Sequence, residues 1–337
     1  MGVRGFALIS AAALAACGSS GASDATPPPS PDGHPTATAT TPPRIVAAPA
    51  ARLYASMAAD EARHTLLLFG GATQAGDLND TWSWADGRWT QADAFPAPPA
   101  RGLAGLAPDG GGRVVLFGGE QGGTRTLGDT WLWDGASWTP VTATGGPSAR
   151  SAVAMAADGA HRVVLFGGGG AGGRQADTWL WNGTRWAVAH PPVSPPARSA
   201  AAMAFDPTHG QLLLFGGAGA AGDLGDTWLW DGTTWRPLHP PSSPPPRQGA
   251  GMAYDGASGR LLLFGGLASG VPLNDTWLWD GTGWTLAAPR VSPPARAYAG
   301  LGAVPGNGPL LLFGGQAAAA GGLGDAWLWR GGGWAPI

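Results

Sequence analysis

The sequence predicts an all-β fold, a six-bladed β-propeller of four-stranded units, on three observations. The string Phe-Gly-Gly begins at Phe69, Phe117, Phe166, Phe215, Phe264 and Phe313, at intervals of 48 or 49 residues. A Trp-x-Trp pair and then a third Trp follow each one, and these triplets account for all 18 Trp in the chain. Each copy opens on an Arg (Arg52, Arg101, Arg150, Arg198, Arg247, Arg296) and carries an Asp two residues before its first Trp (Asp80, Asp129, Asp177, Asp226, Asp275, Asp325).

The fourth copy shows the strands. Ser199–Phe205 is a run of small residues closed by the turn Asp206-Pro207-Thr208-His209-Gly210. Gln211–Phe215 is short and apolar and ends at Gly216-Gly217, and Thr227–Trp230 alternates Trp and Leu. Asp231-Gly232 marks a tight hairpin, and Thr234–Arg236 is a last short strand whose Pro237 suits an outer edge. Residue size grows from Ala, Gly and Ser in the first strand to Trp in the third and fourth. Such a gradient fills a wedge whose inner strands crowd at an axis and whose outer strands splay apart. A unit apolar on both faces needs neighbours to cover it.

Composition agrees. The chain has 58 Gly and 32 Pro, its 19 basic residues are all Arg, and only Glu61 and Glu120 of its 22 acids are Glu. Apart from Ala and Leu, helix formers are scarce. The net charge of −3 gives no electrostatic case for nucleic acid.

The opening Pro-x-Arg, the Leu-Leu-Leu-Phe-Gly-Gly strand end and the Asp-Thr-Trp-Leu-Trp-Asp string resemble kelch repeats. The match covers about residues 50–337 in six copies, with Trp-Leu-Trp in place of the more usual Val/Tyr pattern of the third strand. The resemblance implies the propeller fold, but it leaves function open, because kelch propellers serve as binding platforms, oxidases and sugar-acid isomerases alike. The last copy ends at Trp334-Ala335-Pro336-Ile337, so Ile45-Val46 is expected to pair there and help close the ring.

Residues 1–17 read as a lipoprotein signal peptide. One Arg precedes an apolar stretch, Gly5–Ala16, too short to span a bilayer. It runs into Leu14-Ala15-Ala16-Cys17-Gly18, which resembles the bacterial lipobox and implies lipidation of Cys17, the single cysteine of the chain. An ordinary signal peptide cut at an Ala-x-Ala-like site is the other reading. Residues 18–44, rich in Ser, Thr, Ala and Pro and without aromatics, read as a disordered spacer. Residues 45–337 are the propeller. The expected location is extracytoplasmic, on the cell envelope, with membrane contact through the lipid alone.

The longer loops after Gly-Gly and the Pro-rich linkers lie at one end of the blades, the default working face. Six Arg near one axis would suit a carboxylate, phosphate or sulfate. One-to-one repetition of Arg and Asp points instead to internal pairing, with one or two Arg left facing solvent. Tyr54 and Tyr298 each follow an Arg by two residues, on the first and last copies. Arg52, Tyr54, Arg296, Tyr298 and Gln248 form the candidate ligand-binding set, and seam packing is the alternative for the tyrosines. Glu120 and Arg125 read as a solvated pair.

No cofactor or metal is expected. The six His show no paired metal spacing. A copper radical oxidase on this fold needs a Cys joined to Tyr, and the one Cys lies in the signal region. The hairpins read Asp-Gly without the intervening residue of a sialidase Asp-box. The residues and the kelch resemblance leave three readings open. The first is a binding or scaffold module with a protein or glycan partner. The second is an enzyme acting on an acidic sugar, a sugar-acid isomerase or glycosidase-like. The third is a purely structural surface protein with no specific ligand.

Overall fold

The computed structural model describes residues 48–318 and 321–337, all within the compact unit Ile45–Ile337. Cys17, the signal peptide, the spacer and Ile45-Val46 lie outside the described residues. Six four-stranded antiparallel sheets follow one another along the chain, each a meander. Blade 4 is typical: Ala202–Asp206, Gln211–Ala218, Asp223–Trp230 and Trp235–Leu238 pair in that order. Ala202 lies opposite Phe215, Leu214 opposite Trp228, and Trp230 opposite Trp235. Pro237 sits in the fourth strand, where its missing N–H leaves no ladder bond unmade on the open edge.

The first strands of neighbouring blades touch in a closed cycle that includes the first and the last. Between each pair of adjacent blades lies one apolar cluster, such as Val164, Phe166, Met203, Leu214, Trp230 and Trp235 between blades 3 and 4. The cluster of Leu66, Leu68, Trp89, Leu311 and Phe313 closes blade 1 on blade 6. Small inner residues let the first strands approach, and the Trp residues fill the widening gap outside, as the size gradient predicts.

The Phe-Gly-Gly string has a specific cause. The first Gly is left-handed, and a Cβ there would meet the next blade's Arg carbonyl, 2.6 Å away for Gly70 and Arg101. The second Gly donates its N–H to that same carbonyl, at 2.9 Å from Gly71 to Arg101. The contact recurs round the ring and ends with Gly315 donating to Arg52 at 2.9 Å. Only glycine lets the backbone of one blade come this close to the next.

The fourth-strand Trp makes a second link. Its indole N–H donates to the Thr of the Asp-Thr-Trp string one blade back: Trp138 to Thr81, Trp186 to Thr130, Trp235 to Thr178, Trp284 to Thr227 and Trp334 to Thr276, all at 2.9–3.1 Å. At the closing seam the acceptor position is Ala326, and Trp89 is left with its edge-on contact to Phe313. Ala326→Thr is therefore expected to stabilise the ring by about 0.5–1.5 kcal/mol, the worth of one hydrogen bond. Urea melting of the variant is the check. An unchanged midpoint would mean that Trp89 does not reach the new hydroxyl.

The expected pairing of Ile45-Val46 at the last copy falls outside the described residues. Blade 6 builds its own fourth strand, Gly333–Pro336, paired with Ala326–Arg330. Among the described residues, the sheet of blade 6 is built from its own four strands. Closure rests on the Arg52 backbone, which donates to Leu323 O at 2.9 Å, and on the apolar seam.

Candidate functional site

The repeated Arg is the main fastener of the long-loop end. Arg198 is typical. Its Nη1 and Nη2 form a fork on the Asp226 carboxylate at 2.6 and 2.7 Å, Nη1 also reaches Gly216 O at 2.8 Å, and Nε donates to Pro196 O at 3.0 Å. Asp226 Oδ2 takes in addition the Trp228 indole N–H at 2.6 Å. All six Arg repeat this arrangement, and each is at most 2 % exposed. The backbone of each Arg pairs with the preceding blade while its side chain holds its own blade, so each residue joins two blades. No repeated Arg faces solvent, contrary to the expectation of one or two free guanidiniums. The one-to-one supply of Asp leaves none over.

Asp129, Asp177, Asp226, Asp275 and Asp325 feel two opposed influences. Burial raises their carboxyl pKa, but the Arg fork and the Trp N–H together outweigh it, and all five end below the ordinary carboxylate value. A depressed folded pKa contributes stability above the unfolded value, and that stability is lost as pH falls through the folded one. The urea midpoint is thus expected to hold steady from pH 7 to about 5 and to drop progressively below about pH 4. A midpoint unchanged at pH 3 would contradict the assignment.

Two residues after each Arg the chain turns left-handed. Tyr54, Leu103, Ala152, Ala200, Gly249 and Tyr298 have φ between 52° and 65°. Each donates its N–H to the carbonyl of its counterpart one blade back, at 2.7–3.0 Å for five of them and 3.3 Å from Tyr54 to Tyr298. The six bonds form a closed collar around the axis. Left-handed backbone costs about 1–2 kcal/mol for a residue with a Cβ, and the collar offsets it with hydrogen bonds made only in that conformation. The same geometry separates each Arg side chain from that of the residue two positions on. Strand alternation would put Arg52 and Tyr54 on one side, but positive φ breaks the alternation. The Arg side chains are buried in the blades, and the Tyr side chains reach the channel.

Below the collar lies a cavity of about 190 Å³ lined by Tyr54, Ser56, Met57, Met155, Met203 and Tyr298, among other residues. The two tyrosine rings meet edge to face at 5.2 Å across the seam. Tyr298 leans over Gly249, where a Cβ would come within 2.7 Å of its ring. Its hydroxyl donates to Gln248 Oε1 at 3.0 Å, and Gln248 Nε2 donates to Asp223 Oδ1 at 3.0 Å. Asp223 Oδ2 is held by the Ser269 N–H at 2.7 Å. Glu120 exchanges backbone hydrogen bonds with Gly102, whose Cβ position abuts Tyr54 at 2.9 Å, and accepts from Ser151 Oγ at 3.3 Å. Burial raises the Tyr54 phenol pKa, with Glu120 adding to it. Burial raises that of Tyr298 further, with Tyr54 and Asp223 adding and Arg174 opposing.

Of the sequence candidates, the structure thus brings Tyr54, Tyr298 and Gln248 together at the channel mouth. It commits Arg52 and Arg296 to Asp80 and Asp325. Glu120 and Arg125 do not form the anticipated pair: Arg125 donates to Gln121 Oε1 at 3.3 Å, and among the described residues Glu120 makes no ion pair. Sequence reasoning missed Glu120 and Asp223 as neighbours of the tyrosines. The collar and the loop hairpins place them there through backbone bonds, which leave no mark on side-chain identity.

These features define a six-bladed β-propeller with one asymmetric, aromatic channel mouth. No protein-family model matches the chain, and no curated protein matches it.

Proposed function

We propose that this chain is a lipid-anchored binding module of the bacterial cell envelope, a kelch-like propeller that engages its partner through the long-loop face. The fold is compatible with a binding or scaffold role. The observation that carries the reading is the Tyr298–Gln248–Asp223 chain beside Tyr54, set in a collar whose other positions are Leu103, Ala152, Ala200 and Gly249. A repeat protein that breaks its repeat with oriented polar groups at an open cavity has the features of a recognition site. The acidic-sugar enzyme has less support, since the guanidiniums it would use for a sugar carboxylate are spent on Asp.

The lipid anchor rests on the lipobox resemblance around Cys17. No helix among the described residues is long and apolar enough to cross a membrane. Cys17→Ser is expected to abolish incorporation of a fatty-acid analogue and to move the protein from the membrane to the soluble fraction. Label retained on the variant would end this part of the proposal. For the binding role, full-length protein is used to recover partners from envelope extract, in parallel with Tyr54→Leu/Gln248→Ala. A partner held by the wild type and lost by the variant supports the channel mouth. Equal recovery by both places recognition elsewhere.

A further inference from the structure

The ligand chemistry of the channel mouth can be read from which atoms still accept and which still donate; this step rests on the mouth being the recognition site. Asp223, fixed by the Ser269 N–H, can only accept, so it sets the Gln248 amide with its nitrogen toward Asp223 and its oxygen toward Tyr298. Gln248 Oε1 in turn takes the Tyr298 proton. The Tyr298 hydroxyl has then given away its only donor and keeps lone pairs alone. Each collar carbonyl accepts one N–H and keeps a second lone pair. Glu120, half-buried beside Tyr54, accepts only a 3.3 Å hydrogen bond from Ser151 and is a carboxylate without an ion-pair partner among the described residues. Two tyrosine rings supply negative π faces. Arg52 and Arg296 are neutralised by their Asp partners, and the cation that acts on Tyr298, Arg174, is exposed.

We propose that the channel mouth binds a primary alkylammonium group, seated in the cavity against Tyr54, Tyr298 and the collar carbonyls. The Glu120 carboxylate lies on the adjoining loop strand, paired to Gly102, rather than in the cavity lining. An ammonium brings three donors and no acceptor to a site that offers acceptors, a carboxylate and aromatic faces. A carboxylate ligand would bring acceptors to acceptors beside an unpaired Glu. The expectation of an acidic ligand drawn from the Arg set is thereby reversed in sign. The cavity of about 190 Å³ admits a short alkyl chain with its ammonium head.

The test is calorimetric titration of the full chain with n-butylammonium, and in separate arms with tetramethylammonium, glucose and glucuronate. Saturable binding of n-butylammonium is expected, weakened as salt is raised, with glucuronate not binding. Glu120→Gln, which keeps size and shape, is expected to weaken binding at least tenfold. Tyr54→Leu, which installs the residue that copy two carries at Leu103, is expected to weaken it at least fivefold. Both variants should retain the wild-type thermal midpoint to within a few degrees, so that a loss of binding reports the site; if either does not, Gln248→Glu, which adds a carboxylate at the mouth, must strengthen n-butylammonium binding. No saturable binding of n-butylammonium, or binding unaffected by Glu120→Gln and Tyr54→Leu, overturns the proposal. Tetramethylammonium binding as tightly would mean that the π faces alone act and that the donor argument is wrong. Binding of glucose or glucuronate, lost in Tyr54→Leu, would sink the ammonium assignment and leave the mouth as the recognition site. No binding of any probe, together with partner recovery unchanged in Tyr54→Leu/Gln248→Ala, would sink both.

Discussion

Trp230→Ala is expected to destabilise the propeller by about 3–5 kcal/mol, the range for removing a large aromatic side chain from a core that does not collapse around the loss. Trp230 is 2 % exposed and packs against Val164 and Phe166 of the preceding blade and against Trp235 of its own, ring centroids 5.3 Å apart. Both neighbouring walls are sheets pinned by ladder bonds, by the Arg198–Asp226 fork and by the Trp235–Thr178 hydrogen bond. They have little freedom to move into the space. Two milder variants separate volume from hydrogen bonding. The Trp230 indole N–H has no protein acceptor, so Trp230→Phe loses packing alone. Trp235→Phe also strands the Thr178 hydroxyl in a buried site and should cost about 1 kcal/mol more. Urea unfolding of the three variants, read as the midpoint shift multiplied by the slope, gives the order. A loss under about 1 kcal/mol for Trp230→Ala would mean the residue does not fill the wedge between blades.

The blade count, the strand order and the inner-to-outer size gradient are legible in the sequence because each is written in side chains and repeated six times. Phe-Gly-Gly marks where the regular ladder of the second strand breaks, and the Trp-x-Trp pair lies in the third, as in Leu214 opposite Trp228. The pairing of Arg with Asp was also legible, from their matched number. What stayed hidden is carried by backbone geometry. In blades 2, 3 and 5 the loop after Gly-Gly folds as a separate hairpin, such as Glu120–Gln121 with Arg125–Thr126. In blades 1 and 4 it instead prolongs the second and third strands. Sequences such as Gly169–Gly173 announce neither outcome, since glycine and alanine state no preference between them. The collar is a further case: Tyr, Leu, Ala and Gly share one left-handed position, so no residue type marks it. Three of the candidate residues survive at the mouth for reasons of topology, and the two Arg were removed by a partner already visible in the repeat.

Arg198→Ala is expected to cost about 3 kcal/mol or more, as breaking a buried ion pair does when one partner stays behind. The guanidinium is fully buried and gives four hydrogen bonds, to Pro196 O, Gly216 O and both oxygens of Asp226. Its removal strands a carbonyl within the blade and leaves the Asp226 carboxylate with the Trp228 N–H as its remaining donor. Asp226 is 36 % exposed, so water recovers part of the loss and the figure falls at the lower end of the range. Arg198→Lys should recover less than half of the deficit. One ammonium on an unforked side chain that reaches one bond less far cannot occupy the Nε, Nη1 and Nη2 positions at once. Adding Asp226→Asn to Arg198→Ala removes the stranded charge while Asn Oδ1 still accepts from Trp228, so the double variant should be more stable than Arg198→Ala alone. A double variant less stable than the single one would show that the acid is held by Trp228 and the strand, with the Arg incidental. The six-fold repetition of the fork sharpens the expectation: the same substitution at Arg247, whose Asp275 is 27 % exposed, should cost at least as much, because less water reaches the carboxylate it abandons.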